Sequence, residues 1–99
     1  MDVTLQYFQG CPNWEVADAR LAAIAAERSD VTVTRQLVES VEEAQRLGFH
    51  GSPSILVDGE DPFAAPDTAV GLSCRVYRTP EGPSGVPTLA QLRAVIAQA

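Results

Sequence analysis

The spacing of apolar residues changes several times along the chain, and each change marks a predicted element. Asp2 to Phe8 is rich in β-branched and aromatic residues and reads as a strand. Gly10, Cys11 and Pro12 interrupt it, and Pro12, pre-set for a first helical turn, opens a helix. Trp14, Ala17, Leu21, Ile24 and Ala25 then recur at helical spacing, with Glu15, Asp18, Arg20 and Glu27 off that face, up to Arg28. Val31 to Val38 is a second strand, with Val31, Val33 and Leu37 on one parity. Ser40 and Glu43 make a capping box for a second helix with the stripe Val41, Ala44 and Leu47, which Gly48 stops. Ser54 to Val57 is a short apolar strand ended by Asp58-Gly59. Residues 59 to 71 form a long connection of acidic, Pro and small residues, a length found in functional or mobile loops. Leu72 to Tyr77 reads as a fourth strand, and 79 to 87, with three Pro and two Gly, as a loop. Thr88 and Gln91 cap a last helix whose inner face is Leu89, Leu92, Val95 and Ile96.

The predicted order is βαβαββα. The first βαβ unit requires parallel strands, and the last two strands are close enough for a hairpin. The expectation is one α/β domain spanning residues 1–99, with a four-stranded mixed sheet and three helices on its two faces.

Composition narrows the function classes. Seven Arg against thirteen acidic residues, with no Lys, leave a net charge of −6. That balance argues against nucleic acid and anionic membranes as partners. No stretch is long and apolar enough to span a membrane, and no basic segment followed by an apolar run opens the chain, so the expected location is the cytoplasm. The two Cys and single His lack zinc-type spacing, so no metal site is expected and the cysteines read as free or redox thiols.

Cys11 is the sharpest chemical feature. It lies where a strand ends and a helix begins, a place where backbone N–H groups and the helix dipole favour a thiolate; the alternative is a small buried Cys that happens to precede a helix. The segment Gly48-Phe49-His50-Gly51-Ser52-Pro53-Ser54-Ile55 is the second. A Pro after a Gly-rich turn and directly before an apolar strand is a candidate cis peptide, which leaves the Ser52 backbone available to an extended substrate. The alternative is a trans Pro opening an edge strand.

Together, Cys11-Pro12-Asn13-Trp14 and Gly48 to Ser54 resemble the thioredoxin superfamily, the first in the place of its C-x-x-C motif and the second in that of its cis-proline segment. The resemblance implies a minimal thioredoxin-like fold over roughly residues 2 to 97 and a thiol-dependent oxidoreductase. Trp14 replaces the second motif cysteine, so no disulfide forms within the motif. The C-P-x-W loop also resembles, more weakly, bacterial thioredoxin-family and alkylmercury-lyase-like chains.

Read this way, Cys11 is the nucleophile, attacking a disulfide, sulfenate or peroxide, with glutathione, mycothiol or another small thiol as co-substrate and no bound cofactor. Substrate contacts fall to Pro12, Asn13, Trp14, Ser52 and Pro53, and the partner is a small thiol or an oxidised protein. Trp14 either stacks on substrate or packs inward with Ala17 and Leu21. His50 is either a modulator of the thiolate or a solvated loop residue. Arg75 and Arg78 either attract an acidic ligand or are solvated strand-edge charges. Cys74 is the only internal candidate for a resolving thiol, yet it lies roughly 10 Å back along its strand, at about 3.3 Å per residue, from the Tyr77 to Thr79 end expected to approach Cys11 and Pro53. It also shares parity with Leu72 and Val76, so it reads as a buried core thiol. The alternative function is a non-enzymatic binding module for a soft metal, an organomercurial or a protein partner.

Overall fold

The computed structural model describes residues 1–65 and 67–98. Its elements are β1 (Asp2–Tyr7), α1 (Trp14–Glu27), β2 (Thr32–Leu37), α2 (Val41–Leu47), β3 (Ser54–Val57), β4 (Tyr77–Thr79), β5 (Gly82–Ser84) and α3 (Leu89–Ala97). Through β3 these follow the predicted order closely. β1 is central, parallel to β2 and antiparallel to β3, giving a three-stranded sheet in the order β2-β1-β3.

Alternation along β1 sorts the core. Val3 and Leu5 point into a cluster built with Ala17, Leu21 and Ile24 of α1, Ile55 and Val57 of β3, and Leu92 and Ile96 of α3. Phe8, of opposite parity, joins a smaller cluster of Val38, Ala44 and Phe49. Each helix stops or starts where its local chemistry demands. Thr88 and Gln91 cap α3 reciprocally. Ser40 Oγ accepts from the Glu43 N–H, whereas the Glu43 carboxylate reaches back to the N–H of Glu39, one residue beyond a strict capping box. Gly48 closes α2 in the left-handed region at φ 66°. Val41, expected on the inner stripe of α2, is exposed, and Phe49 just past the helix end takes the buried place.

The second half departs from expectation. The sheet is not four-stranded: β4 does not join β3 but pairs antiparallel with β5 in a separate two-stranded sheet. Residues expected to be a Pro/Gly loop supply β5, because Gly82 takes φ 109° and lets the chain reverse after Thr79. The predicted strand from Leu72 to Tyr77 is regular only at its last residue. Residues 73–75 instead run beside Ser52 through a single parallel bridge between Ser52 and Cys74. Its facing is also the reverse of the parity reading: Arg75 and Tyr77 are buried, while Cys74 and Val76 are exposed. A one-residue change in facing turns every side chain of a segment over, and here the buried ion pair of Arg75 fixes which set goes in.

No helix among the described residues is long and apolar enough to cross a membrane.

Candidate active site

The β1–α1 turn and the segment before β4 are covalently joined. Cys11 and Cys74 form a disulfide across 63 residues of sequence, with Cα atoms 5.7 Å apart. The strand-length estimate that separated them assumed a regular fourth strand; the chain instead folds alongside Ser52 and carries Cys74 to Cys11. Cys74, expected as a buried core thiol, is the accessible one of the two. Cys11 is fully buried and Cys74 is exposed.

Cys11 is held from its own side. Its N–H donates to the Phe8 carbonyl at 3.3 Å, closing the turn that follows β1. Pro12 and Asn13 lie in the turn before α1 and are exposed. Asn13 occupies the N-cap position of α1 without making a side-chain cap. Among the described residues the N–H groups of Asn13 and Trp14 find no acceptor, which leaves donors at the helix start beside Cys11.

Trp14 is half-buried and packs within the fold. Its ring stacks on Tyr7 with centroids 4.4 Å apart. The Arg35 guanidinium lies over its face at 5.6 Å. Of the two sequence readings, inward packing describes it better, with Tyr7 as the principal partner.

The Ser52–Pro53 bond is cis, as the sequence suggested. The backbone edge expected to receive an extended substrate is occupied by the chain itself. The Ser52 N–H donates to the Ser73 carbonyl at 2.7 Å, and the Ser52 carbonyl accepts from the Arg75 N–H at 3.0 Å. Ser52 and Pro53 are both fully buried. Gly51, at φ 105°, permits this approach, since a Cβ there would meet the Ser73 carbonyl oxygen at 3.0 Å.

A buried polar cluster anchors the segment that bears Cys74. Arg75, read from sequence as a solvated charge or a ligand attractor, is buried. It pairs with Asp61 at 2.5 Å, with side-chain exposures of 6% and 7%, and also donates to Ser54 Oγ at 3.2 Å. Its guanidinium carbon lies 4.6 Å from the centroid of the Tyr77 ring. The Tyr77 hydroxyl donates to the Pro53 carbonyl at 2.5 Å, and its ring meets Phe63 edge-on at 5.3 Å. Burial pushes the Tyr77 hydroxyl well above the ordinary phenol range, the Arg75 charge pulling against that and the Asp61 charge adding to it. Asp61 and Phe63 have no role in the sequence reading, and Tyr77 enters it only as the start of the strand tail expected near Cys11 and Pro53. No motif links Asp61 to Arg75, fourteen residues on, and only the fold reveals the pair.

Cys74 opens onto a cleft of about 520 Å³, lined also by His50, Phe63, Ser73, Tyr77 and Arg78. His50 is half-buried there, with Nδ1 3.2 Å from the Ala69 carbonyl oxygen, which an Nδ1–H tautomer satisfies. It belongs to the cleft of Cys74. Arg78 is exposed and makes no ion pair among the described residues. The described residues contain no group of three or more His, Cys, Asp or Glu placed to hold a metal ion.

No family model matches the chain, and comparisons with curated proteins and with solved structures find no match.

Proposed function

We propose that the chain is a thiol–disulfide oxidoreductase whose redox pair is Cys11 and Cys74. The observation that carries this reading is the asymmetry of the disulfide. One sulfur belongs to a buried residue at a helix start, and the other to an exposed residue on an open cleft. A thiolate released at Cys11 would meet the uncommitted N–H groups of Asn13 and Trp14 and the positive end of α1, conditions that lower a cysteine pKa. The monothiol cycle expected from sequence gives way to a dithiol cycle. The bond between the two sulfurs is reduced to two thiols while two substrate thiols are oxidised to a disulfide, or the reverse.

Membership of the thioredoxin superfamily is part of the same proposal. It is supported by Cys11-Pro12 at the β1–α1 junction and by Ser52-Pro53 beside Cys74. The pairing departs from that family's motif, because the partner of Cys11 comes from the segment before β4 rather than from position 14.

The test is catalytic reduction of a protein disulfide with a dithiol as electron source, comparing the natural chain with Cys74→Ser and Cys11→Ser. Turnover by the natural chain and none by either variant is expected. Equal turnover by Cys74→Ser would return the chemistry to a single cysteine. A natural chain without turnover, in either direction, would make the bond a structural staple.

A further inference from the structure

We infer, on the basis of the redox-pair reading, that Cys74 is the sulfur an entering thiol attacks and that Cys11 is the leaving group. The resemblance noted in the sequence assigns these roles the other way round.

Exchange at a disulfide needs the entering thiolate to approach the attacked sulfur from the side opposite the bond that breaks. Access therefore decides which sulfur reacts. Cys74 is exposed and lines the cleft with His50, Phe63, Ser73, Tyr77 and Arg78, whereas Cys11 is fully buried and lines none of it. The half of the disulfide that solvent reaches is thus Cys74. No carboxylate lines the cleft among the described residues, although the whole chain carries −6, so an anionic thiolate meets no like charge on its lining.

The leaving-group side is built for the opposite role. Cys11 departs with the bonding electron pair into the start of α1, next to the unaccepted N–H groups of Asn13 and Trp14. A leaving thiol of lower pKa departs faster. The balanced first step is attack of RS⁻ on Cys74 Sγ, formation of a Cys74–S–S–R bond, and release of Cys11 as thiolate, the proton of the entering thiol having passed to solvent. A second thiol then attacks the mixed disulfide, giving RSSR and two protein thiols.

Cys74 also stays in place once the bond opens. Ser73 and Arg75 remain hydrogen-bonded to Ser52, and the Arg75–Asp61 pair holds from below. The Cys11 thiolate therefore stays poised to reclose on Cys74, and the mixed disulfide is short-lived.

The experiment uses the oxidised natural protein and reduced glutathione in limiting amount, quenched within the reaction time by a maleimide and mapped by mass. The expected species carries glutathione on Cys74 and maleimide on Cys11, in roughly tenfold excess over the reverse species, since access selects the attacked sulfur. The reverse species, or equal amounts, would overturn the assignment and leave the redox pair standing. A disulfide that no thiol opens in the folded protein would overturn both.

Discussion

Arg75 and Asp61 form an ion pair beneath the surface, one residue along the chain from the exposed Cys74. The pair is what turns the segment before β4 inside out relative to its apolar pattern. Removing one partner leaves the other charge buried, which costs about 3–5 kcal/mol. Asp61→Asn should therefore lower stability by an amount of that order in urea unfolding. The double variant Asp61→Leu with Arg75→Met should recover much of the loss, because neither charge then remains buried.

Tyr77 reports on the same cluster through pH. Its hydroxyl is raised by burial and donates to the Pro53 carbonyl. The phenol is protonated in both folded and unfolded chains below its ordinary value of about 10, so its contribution is fully present there. As pH rises beyond that value the unfolded chain loses the proton first, and stability falls. Urea midpoints for the natural chain should decline more steeply above about pH 10 than those of Tyr77→Phe. In neutral solution Tyr77→Phe should cost about 1–3 kcal/mol, the Pro53 carbonyl losing its donor.

The disulfide closes a large loop, and its loss acts on the unfolded chain. For a separation of 63 residues the loop-closure cost is about 4 kcal/mol. Cys74→Ser should unfold at lower denaturant than the oxidised natural chain and close to the reduced natural chain. Agreement between the variant and the reduced chain separates the cross-link from any effect of the serine.

Local chemistry makes the elements through β3 and the last helix legible in the sequence. Ser40, Gly48, Thr88 and Gln91 bound their helices as their side chains or backbone require, and Val3, Leu5, Leu21 and Ile24 follow their periods into the core. The segment before β4 is not legible there, because its facing depends on long-range pairs. Arg75 is drawn inward by Asp61, and Ser52 offers its backbone to Ser73 and Arg75. Neither relationship leaves a periodic trace. Cys11 was recognised from its place between strand and helix. The nearness of Cys74 is not legible, because the regular strand that would separate the two does not form.

Trp14 separates packing from chemistry. Its stacking on Tyr7 and beneath Arg35 assigns it to the fold. Trp14→Ala should cost about 2–3 kcal/mol for a half-buried indole that loses its aromatic partner. The rate at which small thiols open the disulfide in the folded variant should stay that of the natural chain. Stopped-flow reduction under conditions where both proteins are folded checks this.

The redox equilibrium of Cys11 and Cys74 in the folded protein tests the central claim most directly. The natural chain is equilibrated across thiol buffers of defined potential, the fraction oxidised is read by alkylation and mass, and folding is monitored in the same samples. The account predicts reversible two-electron behaviour with a midpoint between about −270 and −120 mV, the span of working thiol oxidoreductases, with the chain folded in both states. A midpoint below about −300 mV, or reduction only upon unfolding, is the behaviour of a structural disulfide and would contradict it.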